Sequence, residues 1–428
     1  MEYLFVLTFI ICLALMSLGA TKYRLSAGLP LTYFIMLSII HVPGALLYSE
    51  YAFGGSVATW TQRGFELTVV GCLSFVLSVV SMRFVLPPVV GVQKPFSAPP
   101  RYRLANICIV IGLFCLAFND KLAGIPTVNA IASTFVSLVV VGAWKRLWLS
   151  GEVMNDNRRW RQTVIWTPLL PMFTILNGGF AASGLFLLVA IGSFVLSQSK
   201  KTRLLYLIAG PIVVVFAMSF FVNYMAARNE LRKLVWTEQA DALTRISRLA
   251  TVFTDFNWLD FSSDQQRQLI DSRLNQNILV GQAAARLDAG EVEYAHGDTF
   301  RSILFAMIPR VIWPEKPVVG GGGNVVEKYT GQTFAAGTSV GAGQVLEFFV
   351  NFGTPGVIFG FAFFGILMAI IDLRVMNCLA AGDDRGFLIW SLVGVSLINP
   401  GGNLVEIFVT AISAAVGAYG LGFLLVAR

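Results

Sequence analysis

Two arginines stand in a stretch of chain that is otherwise greasy. Phe300 to Ile312 is apolar apart from Arg301, Ser302 and Arg310, and an unpaired guanidinium in such surroundings is expensive unless it grips something. The stretch is too short to cross a bilayer and ends in Trp313-Pro314-Glu315-Lys316-Pro317, so it reads as a re-entrant or interfacial segment broken by proline. Gly320-Gly321-Gly322-Gly323 follows, suited to a hinge or to a nest of backbone amides for an anion. Residues 226–346 hold twelve basic side chains, among them Arg228, Arg232, Lys233, Arg245, Arg248 and Arg273. Guanidinium forks match phosphate geometry, and a diphosphate at a membrane surface needs several of them. For Arg228, Arg232, Arg245 and Arg248 the competing role is pairing with Asp241, Asp255 and Asp271 or with lipid headgroups.

Base candidates are few. Glu66, Glu347 and Glu406 each fall at the outer end of an apolar run, and a cluster of like charges in a partly dry site suits one of them to general-base work. Interfacial glutamates favoured by helix N-termini are the other reading. His296, in Glu293-Tyr294-Ala295-His296-Gly297-Asp298, is the histidine outside the apolar runs; His41, beside Pro43, reads as a hydrogen-bonded helix residue.

Such groups need a scaffold, and the composition says which kind. Apolar residues make up 56% of the 428 and charged residues 13%, against about 25% charged in ordinary globular domains. Runs long enough to cross a bilayer recur, which predicts an all-α polytopic membrane protein. About 11 transmembrane helices are expected, near 3–20, 29–48, 64–82, 104–119, 128–147, 163–177, 180–197, 204–225, 346–372, 386–398 and 404–426. The domains follow: an N-terminal bundle of about eight spans at 1–225, an extracytoplasmic helical lobe at 226–346, and about three spans at 347–428. Alternate connections carry Lys22/Arg24, Arg83/Lys94/Arg101/Arg103, Lys145/Arg146/Arg158/Arg159/Arg161, Lys200/Lys201/Arg203, Arg374/Arg385 and Arg428, and the positive-inside bias makes these cytoplasmic. The N-terminus then lies outside, on a first helix read as retained, and the lobe with it. Within the lobe, Leu243, Ile246, Leu249, Phe253 and Phe256 recur at helical spacing, and Leu269, Leu274, Ile278 and Ala285 allow a second amphipathic helix.

Other chemistries lack their residues. No Walker loop supports ATP-driven transport, no Cys/His cluster or Asp-x-Asp suggests a metal, and no Gly-x-Ser-x-Gly suggests a serine hydrolase. Cys12, Cys72, Cys108, Cys115 and Cys378 lie in or beside apolar runs and read as packing residues. The net charge of +7 sits in short loops, which membrane topology explains without nucleic acid.

Ile308-Pro309-Arg310-Val311-Ile312-Trp313-Pro314-Glu315-Lys316-Pro317, followed by Glu347-Phe348-Phe349-Val350-Asn351-Phe352-Gly353-Thr354-Pro355-Gly356, resembles the bacterial oligosaccharide repeat-unit polymerases, the Wzy-type O-antigen and exopolysaccharide polymerases. Ser272-Arg273-Leu274-Asn275 and the turn Asn177-Gly178-Gly179-Phe180 are similar to that group as well. Its loop pattern of Arg, ten residues, then Gly fits Arg310 to Gly321, and fits Arg286 to Gly297 equally. The resemblance implies a GT-C-like glycosyltransferase of the bacterial inner membrane that uses no metal or other cofactor. Its substrates would be oligosaccharides on polyprenyl pyrophosphate (undecaprenyl pyrophosphate), its lobe would be periplasmic, and a flippase and a chain-length regulator would be pathway partners. Arg273, Arg301, Arg310, Lys316 and Arg228 would hold the pyrophosphate, and Glu347, with His296 or Asp298 behind it, would serve as base. Tyr329 or Trp313 would stack on a sugar, or else anchor at the interface. An O-antigen ligase-like transferase and a lipid-linked oligosaccharide flippase remain as alternatives.

Overall fold

The computed structural model describes residues 2–18, 25–50, 55–87, 89, 102–122, 132–198, 200–254, 256–308, 313, 315, 322–334 and 340–426. Regular structure among them is entirely helical. In chain order the N-terminal helices are α1 Glu2–Leu18, α2 Leu29–Glu50, α3 Ser56–Val85, α4 Arg103–Leu122, α5 Leu138–Trp148, α6 Asn157–Trp166, α7 Leu169–Gly178, α8 Ala181–Gln198 and α9 Lys200–Trp236. Five shorter helices follow: α10 Ala242–Thr254, α11 Asp264–Leu274, α12 Asn277–Asp288, α13 Asp298–Met307 and α14 Gly322–Thr330. The chain closes with α15 Gln344–Ala381, α16 Asp384–Ser396 and α17 Leu404–Val426.

Seven segments among the described residues are long and apolar enough to cross a membrane: Leu29–Tyr48, Ser56–Val85, Ala132–Val153, Ala181–Gln198, Gly210–Trp236, Gln344–Ala381 and Leu404–Leu425. Leu7–Met16 and Arg103–Phe118 are shorter apolar helices. The chain is thus a helical membrane protein, with helix as the only regular structure among the described residues. Three expectations change in detail. The run at 163–177 is two helices, because the chain turns at Thr167-Pro168 between α6 and α7. The second amphipathic helix of the lobe also divides, into α11 and α12, at Asn275-Gln276. The eighth run does not stop at 225: α9 continues unbroken to Trp236, so the expected domain boundary falls inside a helix.

Packing sorts the helix ends into two sets. At one end of the bundle Arg83 donates to the carbonyls of Leu15 and Met16, Lys145 pairs with Asp384, and Gln198 donates to the carbonyl of Ser26. Asp372, on α15, accepts from the backbone N–H of Leu29 at the start of α2. At the other end Asn177 donates to the carbonyl of Leu116, Tyr48 donates to Asp271, and Asn275 donates to Thr61. Helices therefore alternate in direction, and α10 to α14 all belong to this second end.

The lobe is held onto the bundle by apolar packing, with Val280 and Ala284 in the main core and Ile270 and Leu274 against Leu47 and Val222, and by polar contacts that fix its position. His41 Nδ1 lies 2.7 Å from Asn277 Oδ1, Asn277 donates to the His41 carbonyl, and Gln276 N donates to the carbonyl of Ile40. Gly64 of α3 faces the Asn277 carbonyl so closely that a Cβ there would overlap it, and Gly281 of α12 meets Trp60 in the same way. His41 is thus a hydrogen-bonded helix residue.

Candidate functional site

Polar and apolar groups meet where α13 lies against α15 and α17. Pro355 has no N–H to give to the carbonyl four residues back, and its ring disfavours helical backbone at Thr354. The helix accordingly breaks at Phe352 and at Gly353, whose φ of 63° is one that glycine tolerates. The break offsets Gln344–Asn351 from the long remainder of α15. It leaves a cavity of about 430 Å³ whose lining is wholly apolar, including Phe300 and Ile303 of α13, Phe348, Phe352 and Phe359 of α15, and Phe408 of α17. Phe359 is 74% exposed and Phe363 also faces outward, so the cavity opens toward the lipid side of a membrane-spanning helix. Gly356 and Gly360 pack on Phe348 and form part of the wall.

The head of this groove is built from Tyr294 to Arg301. Ala295 N donates to the Val350 carbonyl at 2.8 Å and Gly297 N to Asn351 Oδ1 at 2.9 Å. Asn351 Nδ2 in turn donates to Thr299 Oγ1 at 2.7 Å and to the Glu347 carbonyl. These bonds fix a tight turn in which His296, at φ 47°, and Gly297, at φ 96°, both take left-handed backbone. For a histidine that conformation costs about 1–3 kcal/mol and is kept where the surroundings enforce it, often at functional sites. The turn leaves His296, Asp298 and Arg301 exposed on the same segment as groove residues Phe300 and Ile303. Gly297 itself faces the ring of Phe352. Arg301 lies over the ring of Phe305 at 5.2 Å and has no carboxylate partner among the described residues.

Asn351 is fully buried, and Asn351→Ala would leave the Gly297 N–H without its acceptor and remove the donor that Thr299 Oγ1 accepts from. We expect that variant to lose about 2 kcal/mol or more of stability, read as a lower thermal unfolding midpoint in detergent.

Other expected site residues fare differently. Glu347 is 1% exposed; its Oε2 accepts from Leu404 N at 2.8 Å, and Thr299 adds a side-chain hydrogen bond. It therefore caps the start of α17 from a neighbouring helix, as Asp372 caps α2 at the far end. Glu406 is a charge near Glu347, whereas Glu66 pairs with Arg63 on its own helix. Tyr329 is corrected outright: it is 2% exposed, on the inward face of α14, and no sugar reaches it. Trp313 packs edge-on against Phe305. Arg310, Lys316 and Gly320-Gly321 lie outside the described residues. Arg286, the start of the other Arg-to-Gly spacing, is bound to Glu291 and to the Lys328 carbonyl.

Among the described residues, which do not include Asp255, the remaining arginines make no ion pair with Asp241 or Asp271. Arg245 donates to the carbonyls of Ala240 and Leu176, and Arg248 pairs with Glu230. Arg232 donates to the Gly179 carbonyl and lies over the Phe180 ring, so it braces the Asn177–Phe180 turn. Sequence reading missed Asn351 and Thr299, which act through contacts distant in the chain. The signal available was Gly353-Thr354-Pro355, a helix-breaking run directly after Asn351.

A family model described as Domain of unknown function (DUF8712) matches residues 61–380, from α3 to the end of α15. That span contains the whole head of the groove. No curated protein and no solved structure matches the chain.

Proposed function

We propose that this chain, which belongs to the family described as Domain of unknown function (DUF8712), is a metal-independent membrane glycosyltransferase that polymerises oligosaccharide repeat units carried on polyprenyl pyrophosphate. The observation that carries the reading is the groove: an apolar cavity open to the lipid side, headed by an exposed imidazole, carboxylate and guanidinium. A substrate that is half isoprenoid and half sugar diphosphate needs that juxtaposition, with the chain in the groove and the reacting head at its rim. Resemblance to the Wzy-type polymerases supports the same substrate class.

In this mechanism a hydroxyl of the acceptor sugar attacks the anomeric carbon of the donor glycan. The new C–O bond forms as the bond to the lipid diphosphate breaks, and the diphosphate departs with the electron pair. His296 accepts the hydroxyl proton, and Asp298 lies beside it on the same turn. Arg301 stabilises the charge that develops on the leaving diphosphate. Glu347, buried and bound to Leu404 N, holds the α15–α17 junction and leaves the base role to His296.

The seven long segments, together with α1, α4, the α6–α7 pair and α16, make about eleven crossings of the bacterial inner membrane. The N-terminus and the lobe lie on the periplasmic side, where flipped lipid-linked repeats are presented. Deletion of the protein should leave cells with single capped repeats in place of long polymer, seen as a collapsed ladder on glycan electrophoresis. Unchanged polymer length in the deletion strain would overturn the assignment.

A further inference from the structure

Helix α10 has more apolar face than the protein covers. Thr244, Ser247, Thr251 and Thr254 recur at three- and four-residue spacing and make its polar side. On the other side Leu249 and Val252 are buried against Ile175, Tyr224 and Leu231, while Leu243, Ile246 and Phe253 stay exposed. The helix runs back along α9: Arg248 pairs with Glu230, and the Phe253 ring stacks on Phe220 at 5.7 Å. Beyond its end the ring of Phe256 stacks on Phe216 at 5.8 Å, and Trp258 meets Phe216 and Phe256 edge-on, at 6.5 and 5.4 Å. Trp258 is nevertheless 63% exposed. A single exposed ring means little, but these rings form one row along α9.

The row stands against the part of α9 that lipid surrounds. Ile212, Val213, Val214, Val215 and Phe216 are consecutive, all exposed, and belong to the segment Gly210–Trp236 that is long and apolar enough to cross a membrane. Exposed apolar side chains on every side of such a helix belong in a bilayer. The loop backbone beside it is sealed in the way an apolar medium requires. Asn223 clasps Asn257 twice: its Nδ2 donates to the Asn257 carbonyl at 2.7 Å, and its Oδ1 accepts from Asn257 N at 3.0 Å. Leu259 N donates to Ser219 Oγ at 2.9 Å, and the Trp258 carbonyl accepts from Gln266 Nε2. Phe216 lies two turns along α9 from Asn223, about 10 Å, so the rings reach deeper than the clasp. That offset matches the depth to which interfacial aromatic side chains sink below the headgroups. Asp260, which is exposed and accepts from the N–H and hydroxyl of Ser262, returns the chain toward water.

We infer that Phe253, Phe256 and Trp258 form a membrane anchor, seated in the leaflet on the lobe side with lipid acyl chains as its partner. It fastens the foot of α10 to the bilayer at a place separate from the groove: α10 packs on α9 and α7, while α13 packs on α17 and α15. The anchor needs no glycan chemistry and stands apart from the function proposed above.

The test uses the full chain in phosphatidylcholine liposomes. Nitroxide labels are introduced through Trp258→Cys, Phe253→Cys and Thr244→Cys, the last on the polar face of α10 as the water control; the native cysteines are buried or half-buried. Membrane-soluble oxygen should relax the labels replacing Trp258 and Phe253 more than a water-soluble nickel chelate does, with the order reversed at Thr244. In the unlabelled protein, phosphatidylcholine brominated near the top of its acyl chains should quench the part of the emission that Trp258→Phe removes. That second measurement holds even where a labelled variant fails to fold, and it decides where the two disagree. A nickel-accessible label at Trp258 with no bromine quenching overturns the anchor and leaves the loop in water. A label shielded from both relaxants, again without quenching, overturns it in favour of a second protein copy covering the rings.

Discussion

A strain whose sole copy of the protein carries His296→Ala should accumulate lipid-linked single repeats and make almost no long polymer. Loss of a positioned general base typically costs about 10²- to 10⁴-fold in rate. The side chain is exposed and meets the Tyr294 ring at 6.3 Å without entering the core, so removing it should leave the helices inserted and packed; relief of the left-handed backbone at φ 47° is not available to alanine either, and the turn keeps its bonds through Ala295 and Gly297. Glu347→Gln is the companion measurement. The amide oxygen still accepts from Leu404 N, so the junction between α15 and α17 holds, and turnover should survive. If the outcome were reversed, with His296→Ala active and Glu347→Gln dead, the proton would have to leave through the buried carboxylate, and the rim would be a bystander. Glycan ladders and quantified lipid-linked repeats from the two strains separate these cases.

The division between what the sequence reveals and what it hides follows the range of the interactions. The membrane class, the alternation of helix direction and helix α10 rest on charge bias and local periodicity, and all three are present in the fold. Arg301 and His296 were visible as misfits within their own few residues. The groove was not, because it exists only where a break at Gly353 lets α13 settle against two helices that follow it in the chain. Tyr329 shows the opposite failure. An aromatic in a polar-looking segment resembles a sugar platform, but α14 has an inward face that also buries Val326 and Thr330, and the tyrosine lies on it. Arg228, Arg232, Arg245 and Arg248 share one competing role in the sequence, yet tertiary contact separates a carbonyl-bound Arg245, an acid-paired Arg248 and an Arg232 on the Gly179 carbonyl, with Arg301 apart at the rim. No local pattern distinguishes those fates, since each depends on which helix end arrives alongside.

Filling the groove should discriminate a lipid-linked substrate from a soluble one. Ile303 lines the cavity from α13 and is only partly buried, so Ile303→Trp adds bulk where an isoprenoid chain would lie without crowding the fully buried core. Each CH₂ excluded from an apolar site forfeits about 0.8 kcal/mol. Displacing two or three of them raises KM by roughly fifteen- to sixtyfold, with kcat nearly unchanged because the rim is untouched. The same variant should handle a donor with a truncated lipid as well as the wild type does, because a short chain never reaches Ile303. Kinetics on purified protein with long- and short-chain diphosphate donors would read this directly. Equal losses for both donors would mean that the groove shapes the rim and does not hold the lipid. No loss for either would mean that the chain lies against another face of the bundle, and Phe359 and Phe363 would then be exposed only because the bilayer covers them.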